Sequence, residues 1–339
     1  MSPLEFWGIY TLMSIFPPIS AVLPLLFSAQ IAEPAAPLPE AAAAIPEIVE
    51  PEAILADRLP DQFIKPDAEQ IAIAEDQKAR MTVPVSIEGS GPFEFIIDTA
   101  AQRTILSKEI AGSLTLELEE EVNIVALAGN TIVQTVYVPE LTLGTRSYGG
   151  LVAPTFRSTN IGADGVLGLD SLQGQRILFD FIDSNIAVED TSQKRKARSR
   201  REIVVTARRR SGQLIFTNAE ISGIKVSVII DTGGELSIGN KALQRRLRMK
   251  RSALQQINLV DVTGRSIAAD YGVASELHIG RARFGVIPIA FADIAPFAAL
   301  KLDKKPAMFL GMDALRKFDR MAIDFANRKI YFLLPKDAS

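Results

Sequence analysis

The 339-residue chain is predicted to be an all-β protein of two homologous lobes, on three observations. The first is a phrase that occurs twice. Phe93-Glu94-Phe95-Ile96-Ile97-Asp98-Thr99-Ala100-Ala101 is matched by Val226-Ser227-Val228-Ile229-Ile230-Asp231-Thr232-Gly233-Gly234. The second is that two more phrases follow each copy in the same order. Gly165-Val166-Leu167-Gly168-Leu169-Asp170 and Ile177-Leu178-Phe179-Asp180-Phe181 follow the first. Met308-Phe309-Leu310-Gly311-Met312-Asp313 and Met321-Ala322-Ile323-Asp324-Phe325 follow the second. Ordered repetition at nearly equal spacing marks an internal duplication. The third is texture: short β-branched and apolar runs broken by Gly, Pro, Asn and Ser, with little helical periodicity.

Taken in order, the chain begins with residues 1–32, where no charge falls between Glu5 and Glu33. That length matches the roughly 20 apolar residues needed to cross a bilayer core. Pro17, Pro18 and Pro24 suit a membrane segment better than a soluble helix. This segment is expected to be an export signal or an uncleaved membrane anchor. Either places the lobes outside the cytoplasm, periplasmic or tethered to a membrane. Residues 33–79, rich in Ala, Pro and Glu over their first half, are expected to form an extended tether.

The first lobe is expected over 80–190. Met81 to Ile87 alternates as a strand, Gly89-Ser90-Gly91-Pro92 turns the chain, and Phe93 to Ile97 runs into Asp98. Val122 to Leu127 and Thr131 to Val138 flank Ala128-Gly129-Asn130, a hairpin signal because Gly and Asn tolerate positive φ. Two basic runs, Lys194 to Arg201 and Arg208 to Arg210, fall in a predicted solvated linker over 191–212, in which only Ile203 to Thr206 looks like a strand. Contact with anionic lipid and proteolytic nicking are the sharper readings of those runs. The second lobe is expected over 213–335. It repeats the hairpin signal, with Ile257 to Val262 and Ser266 to Tyr271 around Thr263-Gly264-Arg265. Helix is expected at Lys241 to Arg251, with a further turn at Ala314 to Phe318.

Composition removes several kinds of chemistry. Without cysteine there is no disulfide scaffold, thiolate metal site or cysteine nucleophile. His278, the only histidine, reads as a strand-end residue, so neither a Ser-His-Asp triad nor a multi-histidine metal site is expected. A formal net charge of −3 gives no overall attraction to nucleic acid. No metal or organic cofactor is implied.

The repeated phrases resemble the aspartic peptidases, and among them the retropepsin-like branch. In that family each lobe supplies an Asp-Thr/Ser-Gly turn, with a later hydrophobic-hydrophobic-Gly segment packed beneath it. Asp231-Thr232-Gly233 fits in full, while Asp98-Thr99-Ala100 departs at its third position. Leu167-Gly168 and Leu310-Gly311 fit the second element. The resemblance covers roughly residues 80 to 335, as though two retropepsin subunits were fused in tandem.

It implies two lobes about a pseudo-two-fold axis with a cleft between them. Asp98 and Asp231 would form the catalytic dyad, with Thr99, Ala100, Thr232 and Gly233 supporting it. The hairpin tips, Leu127, Ala128 and Gly129 with Val262, Thr263 and Gly264, would be flaps over a protein or peptide substrate, Leu127 and Val262 offering apolar subsites. The lobes would pair within one chain as a monomer; an obligate dimer with mixed sites is the alternative. Ala101 and Gly234 stand where pepsin-type enzymes carry a hydroxyl, which implies a less acidic working range. Ala100 would cost about 1–2 kcal/mol if its turn needs positive φ, and a weakened, peptide-binding module is the rival outcome. The acids Asp164, Asp170, Asp180, Asp313 and Asp324 are expected to anchor turns.

Overall fold

The computed structural model describes residues 68–72, 74–75, 80–191, 201–210 and 212–335. The predicted signal or anchor, most of the tether and the first basic run up to Arg200 lie outside these residues.

The acid-bearing runs are central strands. In the first lobe Met81–Ile87 pairs antiparallel with Ser90–Ile97, burying Val83, Val85 and Ile87 on one face as their alternation requires. Ser90–Ile97 then lies parallel to Gly165–Leu167, with Ile97 opposite Leu167. That short strand is also antiparallel to Ile105–Ser107. The second lobe repeats the arrangement. Ile224–Ile230 lies parallel to Ala307–Leu310, Ile230 opposite Leu310, and Ala307–Leu310 is antiparallel to Ile238–Gly239. Each Leu-Gly phrase is thus wedged between the strand that delivers the acid and the strand that leads away from it.

The glycines of those phrases are fixed by space. A Cβ on Gly168 would stand 2.3 Å from the carbonyl carbon of Arg103, and one on Gly311 would stand 2.6 Å from that of Leu236. Only glycine lets the loop after each acid close onto its supporting strand.

A six-stranded sheet joins the lobes, in the order Glu69–Ala72, Asn185–Asp190, Gln175–Asp180, Arg320–Asp324, Lys329–Leu333, Glu202–Thr206. At its centre a strand pairs antiparallel with its own duplicate. Leu178 faces Ala322, Arg176 faces Asp324 and Asp180 faces Arg320. Because Arg and Asp sit four residues apart in both copies, antiparallel pairing aligns two opposite-charge pairs about one centre. The Arg176 guanidinium meets Asp324 at 3.0 Å and Glu189 at 2.7 Å, and Arg320 meets Asp180 at 2.6 Å. Arg176 also lies 5.6 Å from the centre of the Tyr331 ring, a cation–π distance.

The structure corrects the predicted boundaries at two places. Within the linker expected over 191–212, Glu202–Thr206 is an edge strand of the joining sheet and Arg208–Arg210 pairs with Gln213–Ile221. Ile203 and Val205 alternate inward and are buried, which a solvated connector would not allow. Within the expected tether, Glu69–Ala72 forms the opposite edge, held by Asn185–Asp190. The helix expected from Lys241 to Arg251 runs only over Lys241–Leu247. Its N-terminus is capped by Asn240, and Arg248, at φ 50, ends it in the left-handed region. The expected turn near Ala314 is the helix Met312–Leu315. His278 lies in Leu277–Ile279, just before Gly280 at φ 59.

Candidate active site

Both acids are held in the same way. The Asp98 amide donates to the Leu167 carbonyl at 3.0 Å and the Asp231 amide to the Leu310 carbonyl at 3.0 Å, so each Leu-Gly phrase pins one turn from below. The threonines then lock the turns to each other across the pseudo-axis. Thr99 Oγ1 donates to the Ile230 carbonyl at 2.9 Å and Thr232 Oγ1 to the Ile97 carbonyl at 2.7 Å. Each hydroxyl also accepts the opposite threonine's amide, at 3.3 and 3.1 Å. All four residues are buried.

The two carboxyls are not equivalent in detail. Asp98 Oδ1 accepts the amides of Ala100 at 2.7 Å and Ala101 at 3.0 Å. Asp98 Oδ2 and both oxygens of Asp231 are buried without a well-aligned hydrogen-bond partner among the described residues, although the Gly233 and Gly234 amides lie near enough to act on Asp231 from a looser geometry. Such acceptors are costly to desolvate and favour the protonated form. Asp98 is pushed up to about 7, chiefly by burial, against the pull of the Ala100 and Ala101 amides and the charge of Arg80. Asp231 is pushed well above the usual carboxylate range by burial and then by the charge on Asp98, against the Gly234 and Gly233 amides and Arg80. A buried carboxyl beside a second one retains a proton where an isolated, solvated one would have lost it.

The third positions of the turns differ for a visible reason. A Cβ on Gly233 would stand 2.4 Å from Asp98 Cγ, so the opposite lobe's carboxyl fills the space a side chain would need. Ala100 does not have positive φ, and its methyl is buried in a cluster with Leu127, Ile215 and Ile229. The strain that Ala100 would have carried at positive φ is therefore absent. Ala100→Gly is expected to leave turnover within about twofold and to cost about 0.5–1 kcal/mol through the freer unfolded chain, read by denaturant unfolding. Gly233→Ala is expected to lower kcat/KM by about 100-fold by displacing Asp98, since misplacement by an ångström has that scale of effect.

Two supporting residues escaped the sequence reading. Arg80 is fully buried, donates Nη2 to the Ile161 carbonyl at 2.7 Å, and is the cation whose charge acts on both acids. Gln213, also buried, donates its side-chain amide to the Ala100 carbonyl and so braces the first turn from the second lobe. Arg80 and Gln213 are separated by the same 133 positions as Thr99 and Thr232. That spacing was the available signal.

The hairpin tips reach across the molecule. Gly129 and Gly264 have positive φ, 118° and 82°, as their turns require. The expectation that Leu127 and Val262 line apolar subsites is corrected. Leu127 is buried among the second lobe's Ile294, Phe297 and Leu300, and Val262 among the first lobe's Ala101, Ile124 and Ile161. Each tip anchors in the opposite lobe, so neither side chain faces a ligand in this closed arrangement. The tips also bond to each other's hairpins: the Ala128 amide donates to Asp261 Oδ2 at 3.0 Å, and Arg265 Nη2 to the Gly129 carbonyl at 3.1 Å. Asp261 accepts the Thr263 amide as well, at 2.9 Å, and Gly264 lies beside Asn160.

The remaining acids hold structure together. Asp170 accepts from Thr104 at 2.8 Å and Asp313 from Ser237 at 2.7 Å, equivalent ties between each acid-turn loop and its Leu-Gly phrase. Asp164 accepts the Glu94 amide at 2.9 Å. Asp180 and Asp324 accept turn amides beside their ion pairs.

An aspartyl protease family model matches residues 83–171 and, separately, 217–314, together more than half of the 339 residues. The chain belongs to the aspartyl protease family. Each match takes in one acid turn, one hairpin and one Leu-Gly phrase, and stops before the joining sheet. The tandem retropepsin-like organisation follows from the two matches and the two-lobed β architecture together. A search of curated proteins gives no match.

Proposed function

We propose that this aspartyl protease family member is an endopeptidase that hydrolyses peptide bonds of a protein substrate, using a water activated between Asp98 and Asp231. The observation that carries the reading is the meeting of two buried carboxyls, delivered by equivalent turns and close enough that the charge on Asp98 acts on Asp231. The ionised member of the pair takes a proton from water as the oxygen attacks the carbonyl carbon. The protonated member donates to the developing oxyanion. Collapse of the tetrahedral intermediate breaks the C–N bond as a proton passes to the leaving nitrogen. The pair titrates as a unit, so the roles are not divided between the two residues.

The substrate would add an extended strand beneath the hairpins, its backbone providing most of the contacts. Access requires the tips to leave their pockets in the opposite lobes, because Leu127 and Val262 are buried there. The lobes would work as a monomer outside the cytoplasm, held near a membrane by the residues that precede Glu69. A peptide-binding module disabled by strain at Ala100 is disfavoured by the absence of positive φ there.

Cleavage profiling of a peptide library at pH 4 to 8 by the wild-type, Asp98→Asn and Asp231→Asn proteins tests this reading. Cuts are expected in the wild type alone, with kcat/KM rising as the pair loses its first proton near neutrality. Cuts that persist in either variant would refute the dyad.

A further inference from the structure

The second lobe carries charge for which hydrolysis has no use. Residues 213–335 hold 18 Lys and Arg against 11 Asp and Glu, a net +7, while residues 80–190 hold 6 against 15, a net −9. Two basic segments of this half adjoin one another and a third, Arg208–Arg210, that immediately precedes it. The helix Lys241–Leu247 and the turn after it expose Arg245, Arg246, Arg248, Lys250 and Arg251. At the helix start, Asn240 Nδ2 donates to the carbonyls of Leu302 at 2.9 Å and Lys305 at 2.7 Å, which seats the exposed lysines 301, 304 and 305 against it. The exposed strand Arg208–Arg210 joins them, with Arg210 Nη1 on the Leu300 carbonyl at 2.7 Å. Since seven helical residues span only about 10 Å, the segments are close neighbours.

Among the described residues these cations lack carboxylate partners. In the helix, Lys241 pairs with Asp270 at 2.6 Å, but no cation at 245–251, 301–305 or 208–210 has an ion pair among the described residues. Arg146 and Arg176 on the acidic side have two each. Besides Asp270, which Lys241 and Gln244 already occupy, the acids nearby include Asp303, exposed within its own basic turn, and Asp293, which accepts the Lys241 amide at 2.9 Å. The helix dipole favours Arg245 and Arg246 in a last turn, but it gives no reason for the lysine turn or the arginine strand. Like charges gathered without counter-charges repel one another, and an anionic partner relieves that repulsion.

We propose that this basic face docks the second lobe on an anionic bilayer surface. Two features favour lipid over nucleic acid. Neither 241–251 nor 301–305 contains an aromatic residue on which a base could stack. The uncharged run 6–32 and the stretch after it would also hold the lobes within reach of a bilayer, where clustered Lys and Arg recognise anionic headgroups. Docked this way, the basic lobe lies on the surface and the acidic lobe is repelled from it. The cleft then takes chain segments presented close to the membrane.

Lysine footprinting of the full chain tests the proposal without reference to catalysis. The protein is mixed with phosphatidylcholine vesicles or with vesicles that also contain phosphatidylglycerol, acetylated briefly, and read by mass spectrometry. Any binding through residues 1–32 is common to both. Lys250, Lys301, Lys304 and Lys305 are expected to react about threefold or more slowly on the anionic vesicles, with Lys108 and Lys225 unchanged, and to recover in high salt. Arg245→Gln, Arg246→Gln and Arg248→Gln together, all exposed, should weaken that protection in a protein that still unfolds normally. Equal reactivity on both vesicles overturns the proposal. So does stronger protection by a homopolymer RNA than by anionic lipid.

Discussion

Asp98→Asn is expected to reduce peptide hydrolysis on the order of 10³-fold or more while making the fold more stable above neutral pH. The two effects have one cause. Burial raises Asp98 from 3.8 to about 7, so the folded protein holds this proton more tightly than the unfolded chain does. Stability from this group is complete below pH 3.8, declines as pH rises toward 7, and stays at its lowest above that. The span corresponds to about 4 kcal/mol at most. Asparagine is nearly isosteric, keeps an acceptor for the Ala100 and Ala101 amides, and cannot ionise. Wild type and variant should therefore unfold at similar denaturant concentrations at pH 4, with the variant more resistant at pH 8. Asp231→Asn should move the same way, because its shift has the same sign and the same first cause. A variant less stable than wild type at pH 8 would show that the carboxyl is not under this strain.

Arg176→Met is expected to destabilise the protein by about 3–5 kcal/mol, the scale for stranding buried charges. Its guanidinium serves Asp324 and Glu189, all three fully or almost fully buried. Removing the cation leaves two carboxylates on the sheet that joins the lobes. Adding Glu189→Gln and Asp324→Asn should recover much of the loss, since neutral groups of the same shape carry no stranded charge. Urea unfolding of the single and triple variants measures both effects. A single variant within about 1 kcal/mol of wild type would mean that the pairs do not hold the sheet.

The fold was readable because the features that specify it are local and recur. A β-branched run ending in Asp-Thr, with Leu-Gly downstream, states its role within a few residues, and its second appearance removes the ambiguity of a lone motif. What escaped the sequence depends on contacts across the axis. Arg80 and Gln213 keep the dyad spacing, but an Arg in one copy and a Gln in the other do not look alike. The Arg176–Asp324 and Arg320–Asp180 pairs are written as Arg-x-x-x-Asp twice, yet they matter only when a strand meets its duplicate in reverse. Leu127 and Val262 read as apolar tips over a ligand, whereas their burial is set by pockets more than a hundred residues away. The strand at Ile203 to Thr206 was legible as a short β-branched run, but its place at the edge of the joining sheet was not, because that place is set by pairing with Lys329–Leu333.

The pairing of Gln175–Asp180 with Arg320–Asp324 makes assembly of the site an intramolecular event. A site built from two separate identical subunits falls apart on dilution, and every change made to one half appears in the other. Here the partner is always present at the high effective concentration of a covalent tether. The halves are therefore free to differ. Ala100 opposite Gly233, Gln213 opposite Arg80, and an acidic lobe beside a basic one are differences that a symmetric dimer could not encode.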